Sequence, residues 1–195
     1  VAIPLEFDDA WEFSKNGLAM VKKDGKYGFI NEQGKVVTPI QFDKIVSFFA
    51  NGVAMGGTLS FSENRLVVVG KDGKYGYINE RGKVVVPPQF DNIWFWANGL
   101  AKVEKDGKVG FTNEQGKVVI PIQFDNAHPF TKAGYALVEN NGKWGLINQQ
   151  GELIVAPQFD EAHPFAPNGL AMVKKDGKFG FINEQGKVAI PIQYD

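Results

Sequence analysis

Two histidines, His128 and His163, make up the whole imidazole complement of the chain, and both sit in the tetrapeptide A-H-P-F. A pair of imidazoles is where a metal site begins. A metal would need the two rings to converge within about 4 Å and would need further ligands. One repeat apart on an irregular segment, they read instead as structural or solvent-facing side chains. Aspartate recurs after an aromatic residue at Asp8, Asp43, Asp91, Asp125, Asp160 and Asp195. Such a series could form a ring of carboxylates; the simpler account is that each caps the turn after its strand. Lysine recurs at Lys26, Lys74, Lys108, Lys143 and Lys178. Aspartates in the same turns dilute that charge, so solvated hairpin tips are the better reading. No Ser–His–Asp spacing, paired-carboxylate motif or G-x-x-x-x-G-K-[ST] phosphate loop stands out. Trp94 and Trp96 alternate in "IWFWANG" and so share a strand face. They form a candidate platform for stacking a sugar or another small molecule, with core filling as the competing role. The expectation is a non-enzyme with no catalytic residue, no metal ligand and no cofactor.

Composition agrees with that restraint. The chain has 195 residues, 44% of them apolar, a formal net charge of -1 and no cysteine. The charge gives no strong pull toward nucleic acid or an anionic membrane. Without cysteine there is no disulfide, thiolate metal site or cysteine nucleophile. No run reaches the roughly 18 apolar residues of a membrane-spanning helix, so membrane insertion is not expected. The sequence opens at Val1 without a signal-like segment, which reads as a processed chain or a piece of a longer one.

The elements that carry these residues are repeats. Asp/Asn-Gly pairs begin at Asp24, Asp72, Asp106, Asn141 and Asp176, with steps of 48, 34, 35 and 35. The aspartates that follow an aromatic step by 35, 48, 34, 35 and 35. The unit is therefore about 35 residues. The repeats fall at about 9–43, 44–91, 92–125, 126–160 and 161–195, preceded by an extra segment, 1–8. The second repeat carries 48 − 35 = 13 additional residues, assigned to 56–68 and expected to form a protruding hairpin.

Each repeat reads as four short strands. "LAMVKKD" stops at Asp-Gly, the strongest short hairpin signal. "KYGFIN" follows and stops at "EQGK", a turn with glycine where positive φ is cheap. "VVTPIQFD" comes next, and "DDAWEF" with its counterparts supplies a short irregular strand. Proline in every copy of "VVTPIQFD" puts that strand on an edge or at a bulge. The order is then "DDAWEF", "LAMVKKD", "KYGFIN", "VVTPIQFD", a blade-like antiparallel meander. The fold expected is all-β, a five-bladed β-propeller, with an open β-solenoid as the alternative. The glycine after each aromatic (Gly28, Gly76, Gly110, Gly145, Gly180) is expected to admit an aromatic side chain of the neighbouring blade.

"KWGLINQQGE", residues 143–152, resembles the WG-repeat family of bacterial repeat proteins. Trp144 alone keeps the tryptophan; Tyr27, Tyr75, Val109 and Phe179 replace it elsewhere, inside the same G-K-x-G-x-x-N-x-x-G-K frame. The resemblance covers nearly the whole chain. It implies a β-rich array, often in surface or secreted proteins, and implies no reaction. Extracellular or cell-surface placement is the corresponding expectation.

The chain opens with "VAIPLEFD" and closes with "VAIPIQYD". Six outer strands therefore serve five sets of the other three. The surplus makes Val1, Ala2, Ile3, Pro4, Leu5, Glu6 and Phe7 candidate assembly strand residues. At the other end the candidates are Val188, Ala189, Ile190, Pro191, Ile192, Gln193 and Tyr194. Strand addition at an open edge would join copies head to tail, as a homo-oligomer or filament. The expected function is a structural or interaction module whose partner is itself or another protein. A propeller binding a glycan or small molecule is the alternative.

Overall fold

The structure is a computed structural model that describes residues 6–49, 52–54, 66–95 and 99–195. It is all-β, and the described residues include no α-helix. The first sheet runs β1 (Asp9–Ala10), β2 (Leu18–Lys23), β3 (Lys26–Asn31) and β4 (Val36–Phe42) in that spatial order. The second contains β5 (Lys44–Phe49), β6 (Gly52–Ala54), β7 (Leu66–Lys71), β8 (Lys74–Asn79) and β9 (Val84–Phe90), in the order β6-β5-β7-β8-β9. The third is β10 (Asn92–Phe95), β11 (Leu100–Lys105), β12 (Lys108–Asn113) and β13 (Val118–Phe124). The fourth is β14 (Asn126–Ala127), β15 (Tyr135–Asn140), β16 (Lys143–Asn148) and β17 (Leu153–Phe159). The fifth is β18 (Glu161–Ala162), β19 (Leu170–Lys175), β20 (Lys178–Asn183) and β21 (Val188–Tyr194). The strand order expected from proline placement is found in four of these sheets, and the second adds β6 outside β5.

Local chemistry fixes the two turns of each blade. The Asp-Gly pair joining β2 to β3 has Asp24 at φ 51° and Gly25 at φ 75°, a type I′ turn that matches strand twist. In the next turn, the Asn31 side-chain oxygen accepts from the N–H of Gln33 (3.1 Å) and of Lys35 (2.9 Å). An asparagine two residues before the bend thus organises it, and Gly34 at φ 74° completes it.

The in-strand glycines serve a different purpose from the one expected. A Cβ on Gly28 would lie 2.7 Å from the Thr38 carbonyl oxygen and 2.8 Å from Ile40 Cα; on Gly76 it would lie 2.2 Å from the Val86 carbonyl oxygen. These atoms belong to the last strand of the same sheet. Its pairing slips there, from Tyr27 opposite Phe42 to Phe29 opposite Thr38. The proline-bearing strand bulges onto the glycine backbone, and a side chain would block it.

Contacts divide the chain into two compact units, Val1–Ile93 with Glu114–Gly116, and Trp94–Asn113 with Lys117–Asp195. In the first unit, Leu18, Met20, Phe29 and Phe42 pack with Val67, Val69 and Ile78, so the core lies between the first two sheets. In the second, Phe111, Ile120 and Phe124 pack with Ala127, Phe130, Ala136, Val138 and Ile147. Leu137, Trp144, Leu146 and Phe159 pack in turn with Ala171, Val173 and Ile182. Within each unit a sheet is buried by its neighbour in sequence. Phe7 covers the other face of the first sheet at Ala19 and Val21, so Leu18, Ala19, Met20 and Val21 are all buried.

The expected insertion at 56–68 needs correction. Leu66, Val67 and Val68 are buried residues of β7 and pair with Asn79, Ile78 and Tyr77. They hold the place that Leu18, Ala19 and Met20 hold in the first sheet. The apolar run "LVVVGK" is thus a central strand. The remainder of that stretch, 56–65, lies outside the described residues.

Candidate functional site

The repeated lysines and aspartates come together. Lys26 pairs with Asp43, Lys74 with Asp91, Lys108 with Asp125, Lys143 with Asp160, and Lys178 with Asp195. The second carboxylate oxygen reaches the next repeat. Asp43 accepts the Asp72 N–H at 2.7 Å, Asp125 the Asn141 N–H at 2.6 Å, and Asp160 the Asp176 N–H at 2.8 Å. Asp8 likewise accepts the Asp24 N–H at 2.7 Å. Each of these aspartates therefore caps the Asp/Asn-Gly turn of the following repeat, whereas the sequence pointed to the turn after its own strand. The lysine hydrogen bond first, then the turn N–H, holds the Asp43, Asp125 and Asp160 carboxyls below their ordinary range. The same pairing raises Lys26 and Lys143. These charges are structural staples.

The two histidines differ. The His128 ring lies 4.6 Å from that of Trp144, half-buried, and its buried Nδ1 has no hydrogen-bond partner among the described residues. Burial, then Lys102 and His163, push its pKa down. His163 is exposed. No group of three or more metal-capable side chains occurs among the described residues. Trp94 is exposed, with the Lys102 ammonium 4.2 Å from its ring centroid. Lys102 also donates to the Ala127 carbonyl oxygen at 3.1 Å, and burial lowers its pKa. Trp96 lies outside the described residues.

Of the candidate assembly residues, Val188–Tyr194 form β21, which pairs with β20 through Phe179–Tyr194, Phe181–Ile190 and Ile182–Val188. The carboxyl-terminal strand therefore occupies the edge of the last sheet. Val1–Leu5 lie outside the described residues. Glu6 pairs with Lys23 at 3.2 Å, and Phe7 packs on Ala19, Val21 and Ile30 of the first sheet. Burial then breaks pattern at the far end. Phe42, Phe90, Phe124 and Phe159 are 0–4% exposed, whereas Tyr194 in the same repeat position is 51% exposed.

Two grooves in the first unit were not anticipated from the sequence, because their key residue is not repeated. One measures about 500 Å³ and mixes Glu80 and Glu114 with Arg81 and Lys83. The other measures about 570 Å³, with Val36, Val37, Pro39 and Val84 as its apolar lining and Lys35, Arg81 and Lys83 as its charged lining. The signal for Arg81 was its departure from the glutamine found at Gln33, Gln115, Gln150 and Gln185.

Five successive meanders stapled by Lys–Asp–turn contacts define an all-β repeat protein. The pattern described as "WG containing repeat" matches residues 1–27, 27–55, 75–108, 110–144, 144–179 and 179–195. The chain belongs to the WG-repeat family. The unmatched interval, 56–74, falls where the second repeat is longer. No curated protein matches the chain. Solved structures similar to it include Hsv2p of Kluyveromyces lactis, at 12% identity and TM-score 0.42 over 91% of this chain. A eukaryotic initiation factor matches at 13% identity and TM-score 0.49 over 97%. PorZ of Porphyromonas gingivalis, a surface component of a type-IX secretion system, matches at 9% identity and TM-score 0.41 over 97%. The chain spans 62%, 56% and 28% of those three chains.

Proposed function

We propose that the protein is a non-enzymatic interaction scaffold that joins copies of itself, with the uncovered face of its last sheet as the contact. The observation that carries this reading is at Phe159, the position of Tyr194 one repeat earlier: each repeat seals the one before it. Between the fourth and fifth sheets that position is sealed by the following repeat, which buries Phe159 against Ala171 and Val173. Asp195 pairs with Lys178, and its side chain is 90% exposed. The first repeat of a second copy offers both an apolar cover, at Ala19 and Val21, and a turn N–H, that of Asp24, when Tyr194 and Asp195 take the places of its own Phe7 and Asp8. Such a contact uses different surfaces on the two partners, so it extends as a filament unless it closes as a ring. "VAIPLEFD" at residues 1–8 is a near copy of β21, so β21 of one copy fits the place that Phe7 and Asp8 mark on the next. Placement outside the cell, where WG-repeat chains often work as surface proteins, belongs to this proposal.

Light scattering across a concentration series tests it. Wild type should grow in mass with concentration, Tyr194→Asp should stay monomeric, and removal of residues 1–8, which vacates the places of Phe7 and Asp8, should strengthen growth. A wild type that is monomeric at high concentration overturns the proposal, as does growth that survives Tyr194→Asp.

A further inference from the structure

The groove of about 570 Å³ in the first unit has a lopsided charge. Its three charged lining residues, Lys35, Arg81 and Lys83, are all cationic, and none forms an ion pair among the described residues. The chain as a whole carries a net charge of -1, so this cluster is a local excess. Its apolar lining is Val36, Val37, Pro39 and Val84, and Val36 is 44% exposed. The size falls in the range of small-ligand and short-peptide sites, about 300–1,000 Å³. One wall is the start of β4, the terminal strand of its sheet. Among the described residues β4 pairs only with β3, so its other edge is open for main-chain pairing except at Pro39, which has no N–H.

We propose that this groove binds an extended acidic peptide, laid along the open edge of β4 with a carboxylate side chain held by Arg81. Three properties converge on that ligand. The open edge offers main-chain hydrogen bonds, which strand addition uses for affinity. The valine lining asks for apolar side chains on the alternate positions of the incoming strand. The guanidinium fork matches a carboxylate in bidentate geometry, and the two lysines add undirected positive charge. A bare phosphate would satisfy the cations alone and leave the valines and the edge unused. The site lies wholly in the first unit and shares no residue with the face at Tyr194, so the two proposals stand or fall separately.

The backbone that presents Arg81 does not depend on its side chain. The Asn79 side-chain oxygen accepts the N–H of Arg81 and of Lys83, each at 3.0 Å. Four other repeats build the same turn with glutamine at this position. Arg81→Gln is therefore a fold-neutral variant that removes only the fork.

The test is fluorescence anisotropy with the full chain and a labelled hexapeptide of alternating valine and aspartate. Wild type should bind it, Arg81→Gln should weaken binding at least fivefold, and Arg81→Glu should reduce it to background. Methylating alternate peptide nitrogens should also abolish binding, because that blocks the strand pairing. Equal binding of a hexapeptide of alternating valine and lysine, binding undiminished in Arg81→Glu, or no binding by wild type each overturns the proposal. Binding of an oligonucleotide in place of the peptide overturns it too, and assigns the groove to polyphosphate. Matching circular-dichroism melts for wild type and Arg81→Gln show that the effect is not one of folding.

Discussion

Phe159 and Tyr194 are the same position in consecutive repeats, and removing each ring separates what a repeat owes to itself from what it owes to the next. Phe159 stands opposite Trp144 in its sheet, and Tyr194 opposite Phe179. Their covalent context and pairing register match; their burial does not. Phe159→Ala empties a site 4% exposed between the fourth and fifth sheets. Such truncations cost about 3–5 kcal/mol. For a chain of this size, each kcal/mol lowers the melting temperature by roughly 2–4 °C, so the expected drop is roughly 6–20 °C. Tyr194→Ala removes a ring 51% exposed, and in dilute solution it should cost about 1 kcal/mol or less. Urea unfolding followed by tryptophan emission measures both variants. Concentration adds a second axis. If a second copy covers Tyr194, wild type gains stability as the protein is concentrated and Tyr194→Ala does not. Equal costs for the two variants in dilute protein would refute the reasoning, since they would mean that burial by the following repeat contributes nothing. A concentration-independent Tyr194→Ala difference would refute the self-association reading alone.

Gly28→Ala should destabilise by about 1–3 kcal/mol, because its Cβ would press on the Thr38 carbonyl and Ile40 Cα; a thermal melt indistinguishable from wild type would remove the bulge argument. Acid should weaken the staples. The Asp43, Asp125 and Asp160 carboxyls are held low in the folded state, so their stabilisation is full above the unfolded value near 4 and is lost as pH falls through the folded value. The urea midpoint should fall below about pH 4, and a variant with all three changed to Asn should show a shallower fall. Val67→Asp should abolish cooperative unfolding of the first unit, since it puts a carboxylate at a fully buried position in the centre of the second sheet; a retained sharp circular-dichroism transition would contradict that placement.

Much of the blade was legible because its signals are local and repeated. Asp-Gly needs two residues at positive φ, and Asp24 with Gly25 has them. Proline marked the edge strand because a missing N–H is tolerated only there or at a bulge. The in-strand glycines were harder. The sequence said that something approaches the backbone, and the occupant expected was an aromatic of the next blade, not the last strand of the same one. Only the register slip between Tyr27–Phe42 and Phe29–Thr38 selects that strand. The limits of β7 were obscured for a related reason: "VAM" at 53–55 and "LVV" at 66–68 are both apolar triplets that suit a central strand. Pairing with Asn79 and Ile78 chooses Leu66 and Val67, a non-local fact that no window of sequence contains.

The aspartates show most clearly what a repeat conceals. Read one repeat at a time, a carboxylate after a strand caps its own turn, and nothing in a single repeat contradicts that. The repeat itself hides the answer, because the lysine of one unit and the turn of the next lie at similar sequence distance from the same aspartate. Asp43 sits 17 residues after Lys26, and Asp8 sits 16 before Asp24. A carboxylate has two oxygens, and the structure gives one to each neighbour, so a single side chain both closes its own blade and registers the following one. A series of such contacts has no internal reason to stop. That is why interest falls on breaks in the pattern, and above all on Arg81, where it departs from itself. Function in a protein assembled from near-identical units is to be sought at these breaks, since the units alone specify only how to stack.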